Sequence, residues 1–276
     1  MIKVTVLVEN TSCIDHDFEV EHGLSLLIEG ENTKLLFDLG ASSLYRRNAI
    51  KMGLSLDNVE KVVISHGHYD HGGGLIDYLS DHQQGKVFVK QEAVGDFFAE
   101  RSGQRFEYIG LPDEISADSR LCFVGQEYHL NSKMLLFSGV SGWNFFSPAN
   151  CNLFVKRESG LVKDDFSHEQ HLLIKDDDTI ILVAGCAHRG MINVLNYLQA
   201  RYEISPTHVI GGFHLKGLDF NEAENKVLIE ALGKALKERN IQYYTGHCTG
   251  PEAYGYLKNI LGDQLLPIST GMQIKI

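Results

Sequence analysis

The chain has 276 residues, of which 43% are hydrophobic and 22% are charged, which describes a globular protein able to bury a large core. Its net charge of -11 argues against a general nucleic-acid-binding surface, because such a surface needs a basic footprint. The five cysteines are scattered without a C-x-x-C pair, so a disulfide framework is not expected.

The first segment, residues 3 to 8, has the composition of a β-strand. No basic region with an apolar stretch and a cleavage site precedes it. No apolar run in the chain approaches the roughly 20 residues that span a bilayer. We therefore expect a cytoplasmic protein without a membrane-spanning segment.

Strand signals alternate with turns and helices over the first third of the chain. The predicted strands are residues 3–8, 24–29, 34–38, 61–65 and 86–89, and the predicted helices are residues 42–52, 75–82 and 92–101. Residues 30–32 predict a hairpin turn between the second and third strands. This alternation predicts an α/β protein with layered sheets.

Asp38 closes the third predicted strand and has two interpretations. It can cap the helix that begins near Ser42 or Ser43. It can instead orient a metal-binding histidine through a hydrogen bond to the ring. The sequence favours neither.

The fourth strand leads into residues 65–74, which contain three histidines and one aspartate within six positions. His66, His68 and Asp70 point the same way in an extended chain, and His71 joins them only if the chain turns, which the following glycines permit. Imidazole and carboxylate together suit zinc, and also iron or manganese. Four such groups are too crowded for one ion, which suggests that two ions share the site. The alternative interpretation, a solvent-exposed His-rich loop, is less favoured by this pattern.

The pattern weakens between residues 102 and 150, where strands are predicted at 120–124 and 134–138. Residues 139–148 are rich in glycine and aromatic residues and show neither the period of a helix nor that of a strand. Such a loop either covers an active site or packs on the surface with Trp143 as its anchor.

In the second half of the chain, predicted strands again alternate with predicted helices. Strands are predicted at residues 171–175, 179–184, 207–210, 242–245 and 272–276, and helices at 191–201, 221–239 and 251–261. Three of these strands run into glycine-flanked histidines, namely His188, His214 and His247. Ligands in open α/β sheets bind at the carboxyl ends of parallel strands, so these histidines are candidates for one shared cleft.

These motifs resemble those of the metallo-β-lactamase superfamily, whose H-x-H-x-D-H signature stands at His66, His68, Asp70 and His71. Residues 21–27, 37–40, 65–74, 185–188, 211–215 and 246–250 resemble a narrower branch, the 7,8-dihydropterin-6-methyl-4-(β-D-ribofuranosyl)-aminobenzene-5'-phosphate synthase-like proteins. The resemblance covers nearly the whole chain. It implies a four-layer αββα sandwich of the α/β (α+β) class, formed by one domain over residues 1–276 from two β-then-α halves.

The resemblance also implies two ligand sets. One ion would be held by His66, His68 and His188, and the other by Asp70, His71 and His247. The bridging aspartate of many relatives is missing, and Cys186 occupies its slot unless the bridge is only solvent. His168 competes as the third ligand of the first ion. His214 competes with His247, and we favour it as a phosphate contact or proton donor.

The function implied is that of a metal-dependent hydrolase or transferase with a dinuclear zinc, iron or manganese site. Water activated there would attack a small molecule bearing phosphate or pyrophosphate, such as a pterin or nucleotide derivative. Asp70 would orient the water, Arg189 would bind the phosphate unless it is a plain surface arginine, and the aromatic residues Trp143, Phe145 and Phe146 would stack on the substrate. The alternatives are hydrolysis of a thioester, lactone or amide, and a catalytically silent ligand-binding or sensing protein. Assembly as a homo-oligomer stays open.

Overall fold

The structure, a computed structural model, describes residues 1–13, 17–31, 33–103 and 105–276. Its strands within these residues are β1 (Lys3–Val8), β2 (Ser25–Gly30), β3 (Thr33–Phe37), β4 (Lys61–Val63), β5 (Lys86–Lys90), β6 (Phe97–Arg101), β7 (Arg105–Tyr108), β8 (Leu121–Val124), β9 (Glu127–Asn131), β10 (Met134–Ser138), β11 (Leu153–Arg157), β12 (Gly160–Lys163), β13 (Gln170–Asp176), β14 (Thr179–Val183), β15 (His208–Ile210), β16 (Gln242–Thr245), β17 (Leu265–Pro267) and β18 (Gln273–Lys275). Its helices are α1 (Leu44–Lys51), α2 (Tyr69–Gly72), α3 (Leu75–Asp81), α4 (Met191–Tyr202), α5 (Ala223–Lys237) and α6 (Pro251–Leu261).

The chain divides into two compact units. Unit 1 comprises Met1–Gln126, Asn152–Gln170 and Ser269–Ile276, and unit 2 comprises Glu127–Cys151 and His171–Ile268. Each unit contains a hydrophobic core cluster made of its own residues. The prediction of one domain over the whole chain stays a prediction.

The main sheet of unit 1 has the order β18-β1-β2-β3-β4-β5-β8. Its first four strands in this order pair antiparallel, while β3, β4, β5 and β8 are parallel neighbours. The predicted hairpin joins β2 to β3, although Asn32 of its turn lies outside the described residues. Because β3 and β4 are adjacent and parallel, Asp38 after β3 lies beside the metal motif after β4.

A second, four-stranded sheet in unit 1 has the order β12-β11-β6-β7. The predicted helix over residues 92–101 is wrong, because only Gln91–Val94 form a short 3-10 helix and Phe97–Arg101 are strand β6. Phe97 and Ala99 are buried while Phe98 and Glu100 are partly exposed, which is the period of a strand. Pairing with β7 and β11 thus overrides the helical propensity of this segment.

Unit 2 is built on a sheet with the order β17-β16-β15-β14-β13-β10-β9. Strands β14 to β17 are parallel, and the apolar faces of α4, α5 and α6 pack against them in one core. His188, His214 and His247 follow β14, β15 and β16, so the predicted histidines stand after three neighbouring parallel strands. Among the described residues, no helix has both the length and the apolar character needed to cross a bilayer.

Candidate metal centre

Asp38 organises the histidines of unit 1 from a fully buried position. Its Oδ2 lies 2.7 Å from Nδ1 of His71, and its two oxygens accept hydrogen bonds from the amide and hydroxyl of Ser65, each at 2.7 Å. At the start of helix α1, the amide of Leu44 donates to the hydroxyl oxygen of Ser42 at 3.2 Å, so Ser42 and not Asp38 serves this end of the helix. Asp38 therefore orients a histidine, which decides between the two interpretations of its position.

These contacts fix the tautomers of two histidines. The single hydroxyl hydrogen of Ser65 goes to the Asp38 carboxylate, so Nδ1 of His66, 2.8 Å from Ser65 Oγ, must be the donor in that pair. Nδ1 of His71 likewise donates to Asp38. In the neutral form, each ring then carries its lone pair on Nε2, the state in which an imidazole binds a metal through that nitrogen.

The predicted signature residues of unit 1 lie together. The rings of His66 and His68 have centroids 4.6 Å apart, and those of His66 and His71 are 4.1 Å apart. Nε2 of His71 is 3.7 Å from Oδ2 of Asp70. The short helix α2 supplies the turn that brings His71 to the other ligands. The glycines that follow cannot be larger residues, because a Cβ at Gly73 would collide with the carbonyl of Ala41.

His68 is kept neutral by its surroundings. Burial, followed by the neighbouring His168, lowers the pKa of His68 to about 3. A neutral imidazole retains the lone pair that metal binding requires, so His68 is suited to a ligand role at neutral pH.

His168 is not available as a ligand in this arrangement. The amide of Gly67 donates to its Nδ1 at 2.9 Å, and its Nε2 lies 3.0 Å from Oδ2 of Asp164. Since Nδ1 accepts, Nε2 must carry the proton and donate it to Asp164. Both ring nitrogens are thus used inside unit 1, and His168 supports the backbone of the metal motif instead.

One donor cluster of unit 2 combines a thiol with two imidazoles. Cys186, His188 and His214 each offer a ligand atom within 4.8 Å of the others, and the two rings are 4.0 Å apart. The amide nitrogen of Asn150 donates to the carbonyl of His188, so its oxygen faces Nδ1 of His188 at 2.8 Å. His188 therefore holds its proton on Nδ1 and its lone pair on Nε2.

A second cluster in unit 2 contains Cys186, His247 and Cys248, again with ligand atoms within 4.8 Å of one another. Burial raises the pKa of Cys248, but hydrogen bonds with Cys186 and His214 and the neighbouring His247 outweigh it, and the pKa is held well below its usual value. Sequence reasoning missed Cys248, Asn150 and Asp164. The signal for Cys248 was its place directly after a candidate ligand in the motif of residues 246–250.

The backbone at these strand ends is strained. Ala187, His214 and His247 have positive φ angles of 50°, 46° and 49°, a region that costs a non-glycine residue free energy. A Cβ at Gly212 would collide with Sγ of Cys248, so this glycine permits the close approach of the two loops. Strained backbone of this kind concentrates at functional sites.

Arg189 and Trp143 form a stacked pair at the surface of unit 2. The guanidinium lies 4.1 Å from the centre of the indole ring, and Trp143 is 58% exposed. Asn193, at the start of α4, bonds to both the amide and the carbonyl of Asn144 and to the carbonyl of Arg189. The loop of residues 139–148 is therefore anchored through Asn193, not through Trp143.

The other two aromatic residues of this loop differ in their packing. Phe145 packs against the core of unit 2, whereas Phe146 meets Trp143 edge-on with centroids 4.7 Å apart. Of the three predicted stacking residues, Trp143 presents the most open ring.

Residues 19–234 match the model of the metallo-beta-lactamase superfamily. The chain belongs to the metallo-β-lactamase superfamily. The predicted fold class, the α/β (α+β) class with a metallo-β-lactamase-type sandwich, is confirmed by a solved structure that is similar over the whole chain. That structure, of a metal-dependent hydrolase of the beta-lactamase superfamily, has a TM-score of 0.82, is 30% identical, and is matched over 100% of this chain and 99% of its own.

Two curated relatives of this metallo-β-lactamase-superfamily protein come from Methanocaldococcus jannaschii. One is an uncharacterized protein, 29% identical over 94% of this chain and 99% of its own length. The other is a 7,8-dihydropterin-6-methyl-4-(beta-D-ribofuranosyl)-aminobenzene-5'-phosphate synthase, 25% identical over 91% of this chain and 89% of its own length. The predicted resemblance to this branch is thereby confirmed.

The donor chemistry of each unit fits a divalent metal ion. Unit 1 offers imidazoles and a carboxylate, and the Nδ1 contacts of His66 and His71 leave Nε2 as the donor atom of each neutral ring. Unit 2 offers His188, oriented in the same way by Asn150, together with cysteine sulfur. Outer hydrogen bonds that fix ligand rings are typical of protein metal sites.

Proposed function

We propose that the protein is a metal-dependent hydrolase with a dinuclear site that acts on a small molecule bearing phosphate or pyrophosphate. The observation that carries this proposal is the buried Asp38–Ser65 pair, which holds two signature histidines in the metal-binding tautomer. A histidine cluster with a purely structural role does not need a shared carboxylate that sets the protonation of both rings.

The proposed ligands are those that the family resemblance implies. They are His66, His68 and His188 for one ion, and Asp70, His71 and His247 for the other. Zinc is the first candidate, and iron and manganese suit the imidazole and carboxylate donors as well.

Metal ions in such a site polarise the bond under attack and activate water near neutral pH. The chain's own residues supply the rest of the proposed chemistry. Asp70 accepts a proton from the attacking water and orients it. His214, whose ring centre lies 4.0 Å from that of His188, donates a proton to the leaving group or holds the developing charge.

Substrate binding is assigned to the stacked pair of Arg189 and Trp143. Arg189 precedes α4 by two residues, and both a guanidinium and a helix N-terminus favour an anionic group. Trp143 offers an exposed ring for a planar heterocycle, with Phe146 at its edge and Phe145 supporting the loop. The similarity to a 7,8-dihydropterin-6-methyl-4-(beta-D-ribofuranosyl)-aminobenzene-5'-phosphate synthase supports a phosphorylated pterin-like or nucleotide-like substrate.

The test combines metal analysis with a substrate panel. Purified protein is expected to carry one to two transition-metal ions and to cleave bis-p-nitrophenyl phosphate. His68→Ala is expected to lose both properties, while His129→Ala, which removes an exposed histidine of β9, is expected to keep both. Activity that persists in metal-free protein would refute the proposal.

The same panel separates the alternatives. Cleavage of thioesters, lactones or amides without cleavage of phosphoric esters would assign the carbonyl reaction. A tightly held ligand that survives purification, with no product from any ester, would assign a binding or sensing role.

A further inference from the structure

We propose that His22 is a ligand of the metal ion bound by Asp70 and His71, an inference that rests on the proposed function. Nε2 of His22 lies 3.4 Å from Oδ2 of Asp70. The same carboxylate oxygen lies 3.7 Å from Nε2 of His71. All three residues belong to unit 1, and His22 comes from the loop before β2, far in sequence from the signature.

The two separations are those of donor atoms around one ion. Ion-to-nitrogen and ion-to-oxygen distances of about 2.1 Å, at angles of about 105° to 125°, place two donors about 3.3 to 3.7 Å apart. A hydrogen bond between the same atoms would bring them to about 2.7 to 3.2 Å. The Asp70 oxygen therefore has the spacing of a shared coordination sphere toward each imidazole.

The backbone around His22 is fastened to the loop that carries Asp70. The amide of Leu24 donates to the carbonyl of Asp70 at 3.1 Å. A Cβ on Gly23 would come within 2.8 Å of that same carbonyl, so these two segments of the chain approach this closely only with glycine at position 23. His22 is thus carried by a segment built to lie directly against Asp70.

Glu21 fastens the other side of His22. Its Oε1 accepts hydrogen bonds from the amides of Ala41 and Ser42 at 2.9 and 3.1 Å, and its Oε2 accepts from the hydroxyl of Ser42 at 2.7 Å. The residues on both sides of His22 are therefore fixed, while its own side chain is 44% exposed. This arrangement places a partly exposed imidazole beside the largely buried Asp70 carboxylate.

The experiment titrates metal-free protein with Co²⁺ and follows the visible absorption of the bound ion, with metal content measured in parallel. Wild-type protein is expected to bind two ions. His22→Ala is expected to bind one of them at least about tenfold more weakly, and free imidazole is expected to restore that ion because the position is open to solvent. His129→Ala is the matched control and is expected to titrate like wild type.

His22→Gln separates ligation from a simple hydrogen bond, because glutamine keeps an N–H donor toward Asp70 but loses the imidazole. The inference requires this variant to bind Co²⁺ as weakly as His22→Ala. If either variant binds two ions with wild-type affinity, His22 is not a ligand and the proposed function stands. If wild-type protein binds no metal, the proposed function fails, and the role of His22 fails with it.

Discussion

Replacing Asp38 by asparagine tests whether one buried carboxylate sets the metal-binding state of the site. Asparagine has nearly the same shape and tolerates the positive φ of 58° at this position. Its single oxygen can keep the hydrogen bond from the Ser65 amide, but its NH2 group then faces Ser65 Oγ and Nδ1 of His71. His71 must then accept at Nδ1, which moves its proton to Nε2, the nitrogen assigned to the metal.

The magnitude follows from these contacts. Loss of a group that orients a metal ligand costs about 10- to 100-fold in metal affinity, which corresponds to about 1.4 to 2.8 kcal/mol. The altered contacts with Ser65 and His71 also involve a charged acceptor, and each such hydrogen bond contributes about 1.5 to 3 kcal/mol. The variant should therefore lose both metal affinity and free energy of unfolding.

The assay measures both quantities on the same preparations. Co²⁺ titration of metal-free protein gives the affinity, and urea unfolding of metal-free protein gives the stability. Thr270→Val serves as the control, because Thr270 is fully buried in unit 1 and accepts a hydrogen bond from the Glu9 amide at 2.8 Å. It should lose stability without losing metal affinity. If Asp38→Asn binds Co²⁺ as tightly as Thr270→Val, Asp38 does not set the tautomer of His71.

Three further predictions concern residues outside the proposed ligand set. His168→Asn should keep the full metal content measured for wild type, because both ring nitrogens of His168 are used within unit 1; loss of an ion would show that His168 ligates after all. Trp143→Ala should raise KM for a phosphorylated heteroaromatic substrate with little change in kcat, and an equal rise for a non-aromatic phosphodiester would argue against stacking. Burial lowers the pKa of His171 from 6.5 to about 3, so below pH 6.5 the unfolded chain binds a proton at His171 that the folded protein does not. The free energy of unfolding is therefore unaffected by His171 above pH 6.5 and falls by about 1.4 kcal/mol per pH unit between pH 6.5 and 3. His171→Phe should flatten the dependence of urea unfolding on pH between 7 and 5, and unchanged slopes would contradict this assignment.

The parts of the site that depend on local spacing were predictable from the sequence. His66, His68, Asp70 and His71 lie within six residues, so the geometry of a strand followed by a turn was enough to bring them together. The histidines after β14, β15 and β16 were predictable because parallel strands share one carboxyl edge. Both inferences needed only the neighbours of each residue along the chain.

The parts that depend on distant partners were not predictable. Asp38 had two equal interpretations because the residue that decides them, His71, is 33 positions away. The helix prediction over β6 is wrong because the segment lies between two partners, the nearby β7 and β11, which begins more than fifty residues later. The role of His168 is set by the Gly67 amide, 101 positions away in the chain, which donates to its Nδ1.

The cysteine sulfurs of unit 2 differ from the donor atoms of unit 1 in the metals that they prefer. Unit 1 supplies imidazole and carboxylate donors, which manganese accepts as readily as zinc or iron. In unit 2, the sulfur atoms of Cys186 and Cys248 lie within 4.8 Å of each other, and the pKa of Cys248 is held well below its usual value. Sulfur donors of this kind select zinc or iron over manganese. A site that included either thiol would therefore take zinc or iron in preference to manganese.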